Sequence, residues 1–312
     1  MVTGVGRVLS RVGGVYRLQT AGGLVESSLR GRLKHGVETR VLVGDLVRYR
    51  AHGEGTVTIE EIQPRTSLLR RRTPGGHGQA RAVAANVDQV VVVGSARNPD
   101  WDPQMLDRFI AVASASDLPV VVVANKCDLD PEANALAAPL RSAGYRVELT
   151  SVPERRGLTE LRALLSGRIS LFTGPTGVGK SSLLNVLQPG LELRTGTVSR
   201  RAGVGRHTTV AAEMHPFGSE GFVVDTPGLR DIGLWGLDPS DVAKAFPEIA
   251  ACAAGCRFDD CRHAAEPDCA VLEAVTAGEI ATTRLLSYHT LLREAGAAAR
   301  PWHRARTDRY DA

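Results

Sequence analysis

The most informative segment of this chain reads Gly174-Pro175-Thr176-Gly177-Val178-Gly179-Lys180-Ser181. It follows the apolar, strand-like residues 168–173 and precedes the helix-like residues 182–187. In that context the pattern G-x-x-x-x-G-K-S is typical of a loop that binds the phosphates of a nucleoside triphosphate. The glycines let backbone N–H groups turn toward phosphate oxygens, and the positive end of the helix dipole adds to the attraction. We predict that Lys180 reaches the β- and γ-phosphates, that Ser181 coordinates Mg²⁺, and that Ser182 completes the loop.

A second motif, Asn125-Lys126-Cys127-Asp128, follows the apolar strand 118–124 and predicts which base is bound. A carboxylate at this strand end accepts hydrogen bonds from the N1–H and the exocyclic amine of guanine, and adenine offers no matching pair of donors. We therefore predict guanine recognition by Asn125, Lys126 and Asp128, with Ser151 backing the base from the other side. The alternative is a loop capped by Asn125 and Asp128 without a ligand.

A third motif, Asp225-Thr226-Pro227-Gly228, ends the apolar strand 221–224. We expect Asp225 to hold Mg²⁺ through water, and the Gly228 N–H to sense the γ-phosphate. The segment Arg206-His207-Thr208-Thr209 lies between the phosphate loop and this motif and predicts a mobile switch. Either Thr208 or Thr209 is then the Mg²⁺ ligand, and the sequence leaves the choice between them open.

The regions before and after these motifs differ from them in character. Residues 1–67 contain short strand-like segments punctuated by glycine pairs, which predicts a five-stranded OB-fold barrel, with an SH3-like barrel as the alternative. Residues 1–82 carry 14 Lys/Arg against 6 Asp/Glu, a net charge of +8, which favours a polyanion-binding module.

Residues 68–85 include a basic, Pro/Gly-rich run and are predicted to be a linker. Strand and helix patterns alternate over residues 86–239, predicting a parallel α/β sheet, and residues 240–312 form a helical, Cys-rich region with an Arg-rich tail.

The order of the motifs carries further information. Ordinary GTPases place the phosphate loop first, and here the N-K-C-D and T-S-V segments precede it in the chain. The same sheet forms if the original ends are joined and a new break is made, so the order indicates a circular permutation. Dinucleotide oxidoreductases are excluded, because the Gly203-Val204-Gly205 segment lacks a third glycine and a preceding strand.

The permuted order, the basic barrel and a C-terminal Cys/His cluster together resemble one family closely, over nearly the whole chain. This family is the bacterial circularly permuted small ribosomal subunit biogenesis GTPases. The resemblance implies a multidomain protein with an OB-fold barrel, a permuted P-loop GTPase domain and an α-helical zinc-binding domain. It also implies hydrolysis of GTP to GDP, stimulated by the small ribosomal subunit during late maturation, and contact of the barrel with ribosomal RNA.

The Cys/His cluster is Cys256-x4-Cys261-x-His263-x5-Cys269, and this spacing matches the family pattern. Three thiolates and one imidazole form a closed tetrahedral set, so we expect one structural Zn²⁺. Cys252 falls outside the pattern and is interpreted as a small buried residue, with exchange for one of the ligands as the alternative.

The group that activates water is less well defined by the sequence. Many GTPases place Gln after the D-x-x-G motif, and Leu229 follows Gly228 here. His207 is the candidate catalytic residue, because it lies beside the switch threonines and can bond a water molecule. The alternatives are a solvated His207, charge stabilisation by Arg206, or a group supplied by the ribosome.

The remaining expectations concern location and rival functions. No apolar run is long enough to span a membrane, and no secretion signal precedes Gly4, so we expect a cytoplasmic protein without a membrane partner. One complete nucleotide site per chain makes a monomer the simplest arrangement. The rival functions are a permuted GTPase of the large subunit and a non-hydrolysing, GTP-gated RNA-binding switch.

Overall fold

The computed structural model describes residues 2–30, 40–52, 57–72, 80–193, 212–225 and 237–299. The first of its three units is a closed barrel of five strands in the order β1-β2-β3-β5-β4. Its strands are Val2–Val12 (β1), Val15–Thr20 (β2), Gly23–Leu29 (β3), Leu46–Ala51 (β4) and Val57–Ile62 (β5). β3 and β5 pair in parallel and all other neighbours are antiparallel. Alternate residues such as Tyr16, Leu18 and Ile59 fill the interior, and the predicted OB-like barrel is confirmed.

The region 68–85 differs from the linker that the sequence predicts. Leu68–Arg72 (β6) and Ala80–Ala85 (β7) pair as an antiparallel two-stranded sheet, and residues 73–79 lie outside the described residues. Leu69 and Ala84 are buried in the main core. The Pro/Gly-rich middle of the region suggested a loop, but its apolar ends gain burial by pairing and packing on the central domain.

The second unit is a six-stranded sheet in the order β10-β9-β8-β11-β13-β12. Its strands are Gln89–Ser95 (β8), Val120–Asn125 (β9), Arg146–Thr150 (β10), Ile169–Thr173 (β11), Glu213–Phe217 (β12) and Gly221–Asp225 (β13). All neighbours are parallel except β12 and β13. β8 and β11 are buried along their whole length, as expected for a parallel sheet that is covered on both faces.

Helices cover both faces of this sheet. They are Pro103–Ser114 (α1), Ala133–Ser142 (α2), Leu158–Leu165 (α3) and Lys180–Leu187 (α4). The core on one face includes Phe109 of α1 and Leu140 of α2, and the core on the other includes Leu161 of α3 and Leu184 of α4. This arrangement brings the carboxyl ends of five parallel strands to one edge, where ligands of such sheets bind.

The third unit is helical and shares the core of the central domain. Its helices are Pro239–Ala243 (α5), Pro247–Ala253 (α6), Ala270–Thr276 (α7) and Thr282–Ala299 (α8). Arg284 of α8 is buried and forms ion pairs with Asp107 of α1 and Glu248 of α6. Within the described residues, no helix is both long enough and apolar enough to cross a membrane.

One bulged strand of the barrel, β1, contacts the central domain. The register of β1 shifts between Val8 and Ser10, and Leu9 at this shift is buried in the central core instead of the barrel. Arg7 donates to the carbonyl of Gly44 at 3.1 Å and stacks 5.3 Å from the ring centre of Phe222 in β13. Barrel and nucleotide domain therefore share buried contacts.

Candidate functional site

The phosphate-loop segment lies where β11 ends and α4 begins, and its glycines are required by close approach to neighbouring strands. A Cβ atom at Gly174, where φ is +135°, would lie 2.1 Å from the carbonyl oxygen of Val93 in β8. A Cβ atom at Gly179, where φ is +96°, would lie 2.4 Å from Nδ2 of Asn125. Only glycine fits both positions, so the loop is held tightly between the ends of β8, β9 and β11.

The start of α4 is suited to an anion. Gly179 caps this helix without a side-chain hydrogen bond among the described residues, and the N-terminus of a helix attracts anions through its N–H groups and its dipole. Nζ of Lys180 donates to the carbonyls of Gly174 and Pro175, each at 2.7 Å. Ser181 and Ser182 occupy the first turn and are half-buried, whereas Val178 is buried in the core. The ammonium group therefore lies on the same loop as the uncapped N–H groups.

Asn125, the last residue of β9, joins three strand ends. Its Nδ2 donates to the carbonyl of Val178 at 2.8 Å, and its Oδ1 accepts from the hydroxyl of Thr150 at 3.0 Å. The role in guanine recognition that the sequence predicts for Asn125 stays a prediction, and these two contacts join the phosphate loop to β10. Sequence reasoning missed this role of Thr150, because the contact joins residues that are 25 positions apart.

Asp128 offers an unpaired acceptor at the same edge. Lys126 adopts a left-handed conformation, with φ of +58°, and starts a 3₁₀ turn over Cys127–Leu129. Nζ of Lys126 donates to the carbonyl of Gly177 at 2.7 Å and to that of Asn98, and burial lowers the pKa of this amine. Within the described part of the chain, the buried Oδ1 of Asp128 has no hydrogen-bond partner. An unsatisfied buried acceptor is costly, and N–H donors of the kind that guanine carries would satisfy this oxygen.

Ser151 shapes the loop that follows β10. It is fully buried, its hydroxyl accepts from the N–H of Glu154 at 3.2 Å, and its backbone exchanges two hydrogen bonds of 3.1 Å with Arg156. Nη1 of Arg156 lies 3.6 Å from Sγ of Cys127. This loop is thereby connected to the turn that carries Asp128.

Two of the predicted magnesium ligands lie beside neighbouring strands, with Asp225 at the end of β13 and Ser181 in the first turn of α4, after β11. Asp225 is the last residue of β13, half-buried, and lies opposite Phe172 of β11 in the register. Ser181 follows β11 by eight residues, so the two positions are at the same edge of the sheet. The predicted residues His207, Thr208, Thr209 and Gly228 lie outside the described residues.

The four predicted zinc ligands converge between α6 and α7. Sγ of Cys269 lies 3.8 Å from Sγ of Cys256, 3.6 Å from Sγ of Cys261 and 3.5 Å from Nδ1 of His263. All four donor atoms lie within 4.8 Å of one another. Zn–S bonds of about 2.3 Å and a Zn–N bond of about 2.0 Å, at tetrahedral angles, place ligand atoms roughly 3.5–3.8 Å apart. The geometry thus fits a tetrahedral metal ion held by three thiolates and one imidazole.

Two residues near this cluster are not among its four ligands, Cys252 and Glu266. Cys252 is half-buried, packs against the core, and is not among the four clustered ligands. The carboxylate of Glu266 accepts from the N–H groups of Arg262, Ala264 and Ala265, and these bonds lower the pKa of Glu266 to about 2. Glu266 was not apparent from the sequence, because its role is to order the loop between ligands.

Comparisons with known proteins match both the barrel and the nucleotide domain. The family model of the RsgA GTPase matches residues 62–235, and that of the RsgA N-terminal domain matches residues 5–59. A relative from Gemmatimonas aurantiaca, named small ribosomal subunit biogenesis GTPase RsgA, is 48% identical over 91% of this chain and 94% of its own. A relative of the same name from Moorella thermoacetica is 42% identical over 93% of this chain and 96% of its own.

Two solved structures share the architecture of this chain. The crystal structure of YjeQ from Thermotoga maritima aligns with a TM-score of 0.75 and 32% identity, over 94% of this chain and 99% of that one. The structure of YloQ, described as a circularly permuted GTPase, aligns with a TM-score of 0.72 and 28% identity, over 95% of this chain and 96% of that one. The permuted arrangement predicted from the motif order is confirmed by this likeness.

Proposed function

Because this chain belongs to the RsgA GTPase family and is therefore a GTP-hydrolysing enzyme, we propose that it acts in late maturation of the small ribosomal subunit. The observation that carries guanine recognition is the buried Oδ1 of Asp128, which has no hydrogen-bond partner among the described residues. It lies two positions after Lys126, whose amine contacts the phosphate loop. The target is supported by the names of the relatives, which are small-subunit biogenesis GTPases. The same relatives argue against the two rivals, a large-subunit factor and a non-hydrolysing switch.

We assign the nucleotide contacts as follows. The uncapped N–H groups at the start of α4 and the ammonium of Lys180 hold phosphate oxygens. Asp128 accepts from the guanine ring, while Asn125 and Lys126 hold the two loops together. Ser181 would bind the Mg²⁺ ion that accompanies GTP directly and Asp225 would hold it through water, and this ion would neutralise phosphate charge. His207 remains our candidate for orienting the water, with Thr208 or Thr209 as the further Mg²⁺ ligand and Gly228 at the γ-phosphate.

The other two units supply contacts with the subunit in this proposal. The barrel contains many arginines, which suit phosphate groups of folded ribosomal RNA. One structural Zn²⁺, held by Cys256, Cys261, His263 and Cys269, orders the helical unit. We propose that the protein works in the cytoplasm. We also propose that it is a monomer, because each chain carries a complete set of nucleotide motifs.

The test is phosphate release from GTP by the purified protein alone, with small subunits and with large subunits. We expect slow release by the protein alone and strong stimulation by small subunits only. Lys180→Ala is the blank, and we expect it to lower the rate by about 10²-fold or more, because it removes a charge that stabilises the transferred phosphate. Equal stimulation by large subunits, or none by small ones, would contradict the proposed target.

A further inference from the structure

A loop that belongs to none of the nucleotide motifs contacts both halves of the nucleotide site. This loop, the 96–102 loop, connects β8 to α1. The Ala96 N–H donates to the carbonyl of Asn125 at 2.9 Å. Asn125 directly precedes residues 126–129, which carry Asp128 and are the guanine-recognition turn. The carbonyl of Asn98 accepts from Nζ of Lys126. Two consecutive residues of the N-K-C-D motif are therefore held by this loop.

The same loop lies against the phosphate loop. A Cβ atom built on Gly177 would be 3.5 Å from Cδ of Pro99. The hydroxyl of Ser95 donates to the carbonyl of Pro99 at 2.6 Å, which fixes the turn relative to the end of β8. Since Lys126 also donates to Gly177, the amine is held between the 96–102 loop and the phosphate loop.

Arg97 provides the third connection, on the far side of the guanine-recognition turn. Its Nε lies 3.0 Å from Oδ2 of Asp130, whose side chain is only 7% exposed. The other carboxylate oxygen of Asp130 accepts from the N–H of Glu132 at 2.9 Å. Asp130 directly follows the turn Cys127–Leu129, so Arg97 holds the end of the turn while Asn98 holds its beginning.

We propose that the 96–102 loop is a positioning element for guanine recognition, in which Arg97 and the Asn98 carbonyl hold the turn so that Asp128 faces the base. This inference rests on the proposed function, because it assigns a role toward the same nucleotide. Arg97 is a positioning residue and not a catalytic one, since its contacts are with Asp130 and, at 3.6 Å, Asp100.

The experiment compares the dissociation constants of GTP, GDP and ITP for the wild-type protein and three variants at Arg97. ITP lacks the exocyclic amine, so the ratio of its Kd to that of GTP reports how well Asp128 faces guanine. Arg97→Glu places like charges beside Asp130, and we expect it to raise the Kd of GTP and GDP by about three- to tenfold and to lower the ITP/GTP ratio. Arg97→Gln is expected to be intermediate, and Arg97→Lys is expected to remain within about twofold of the wild type.

Arg146→Glu is the matched control. Arg146 is 60% exposed, against 53% for Arg97, and forms a comparable ion pair of 2.9 Å with Glu148 at the opposite end of the sheet. We expect this variant to bind all three nucleotides like the wild type. Thermal unfolding of each variant checks that it folds.

The outcomes separate the inference from the proposed function. Unchanged Kd values in Arg97→Glu, or equal weakening of GTP and ITP, would overturn the positioning role. Absence of GTP binding by the wild-type protein would instead overturn the proposed function itself. Because Arg97 is half-exposed and Arg97→Gln removes only the charge, at least one variant is expected to fold.

Discussion

At the scale of single residues, the nucleotide site depends on a few side chains whose hydrogen bonds are committed to holding loops. Asn125 and Lys126 donate to carbonyls of the phosphate loop, whereas the buried Oδ1 of Asp128 has no partner in the described part of the chain. In the proposed function, we therefore assign the chemistry that distinguishes one base from another to Asp128. A single substitution at this residue should change base preference without changing the phosphate contacts.

Asp128→Asn is the direct test of that assignment. Loss of the carboxylate removes two charge-assisted hydrogen bonds to guanine, so we expect GTP affinity to fall by about 10²-fold or more. The amide of Asn donates to the C2 carbonyl of xanthine, so XTP affinity should rise at the same time. Asp128→Ala is the control, since it should lose GTP without gaining XTP. Equal GTP binding by the wild type and Asp128→Asn, in titrations with labelled nucleotide, would refute this role.

At the scale of elements, short segments with little core are ordered by specific contacts. The loop between α6 and α7 holds three of the four clustered ligands, and the fourth, Cys269, caps α7. The carboxylate of Glu266 orders the backbone between these ligands through three N–H groups. A bound metal ion would replace hydrophobic burial as the main source of order in this segment.

Cys261→Ser is expected to abolish stoichiometric zinc binding. The three remaining ligands no longer close the tetrahedron, so we expect zinc content to fall from about one ion per chain toward zero and helix content to decrease. Cys252→Ser is the matched control and should keep its zinc, since Cys252 lies outside the cluster. Atomic absorption and far-ultraviolet circular dichroism measure the two effects. Zinc loss in Cys252→Ser with retention in Cys261→Ser would show that Cys252 is the ligand.

At the scale of the whole molecule, buried polar contacts fix the three units to one another. Asn86 donates to Gly44 of the barrel region at 3.0 Å, and Leu9 of the barrel is buried in the central core. On the opposite side, Arg284 is 1% exposed and lies 4.2 Å from the ring centre of Phe246. The nucleotide domain therefore shares close-packed, buried contacts with both neighbouring units.

The network around Arg284 makes stability depend on pH. Burial raises the pKa of Asp107 to about 6. The ion pair with Arg284, which Glu248 shares, only partly opposes this shift. The folded protein thus takes up a proton at Asp107 at a higher pH than the unfolded chain does, near 3.8. This contribution to stability is present at low pH and is lost as pH rises through about 6.

Asp107→Asn isolates this effect. We expect the free energy of unfolding of the wild type, relative to this variant, to increase by slightly less than about 1 kcal/mol as pH falls from about 7.5 to 5.5. Arg284→Met is the contrasting variant and should lose about 3–5 kcal/mol near neutral pH, since it leaves two carboxylates buried without a cation. Urea denaturation at the two pH values measures both. A wild-type-to-variant difference that stays constant with pH would contradict the raised pKa.

Local patterns were sufficient for much of this architecture. The G-x-x-x-x-G-K-S loop, the apolar strands and the motif order predicted a permuted α/β domain, because phosphate loops and buried strands are specified by residues adjacent in the chain. Cys256, Cys261, His263 and Cys269 were found for the same reason, since they lie within 14 residues. The prediction of a linker over residues 68–85 differs from the structure at both ends of that region, where Leu69 and Ala84 are buried in strands. Roles of the site residues in nucleotide binding stay predictions.

Contacts between distant segments could be found only in the folded chain. The bond between Asn125 and Val178 spans 53 positions, and that between Arg284 and Asp107 spans 177. Nothing in the local pattern of α1 distinguishes Asp107 as buried, and nothing in the 96–102 loop marks Arg97 as paired with Asp130. Sequence periodicity specifies which face of an element is apolar, and the packing of whole elements specifies which polar groups meet across their ends. For this reason the motifs could be predicted from the sequence alone. The 96–102 loop and the buried network around Arg284, which joins the units, could be identified only in the tertiary structure.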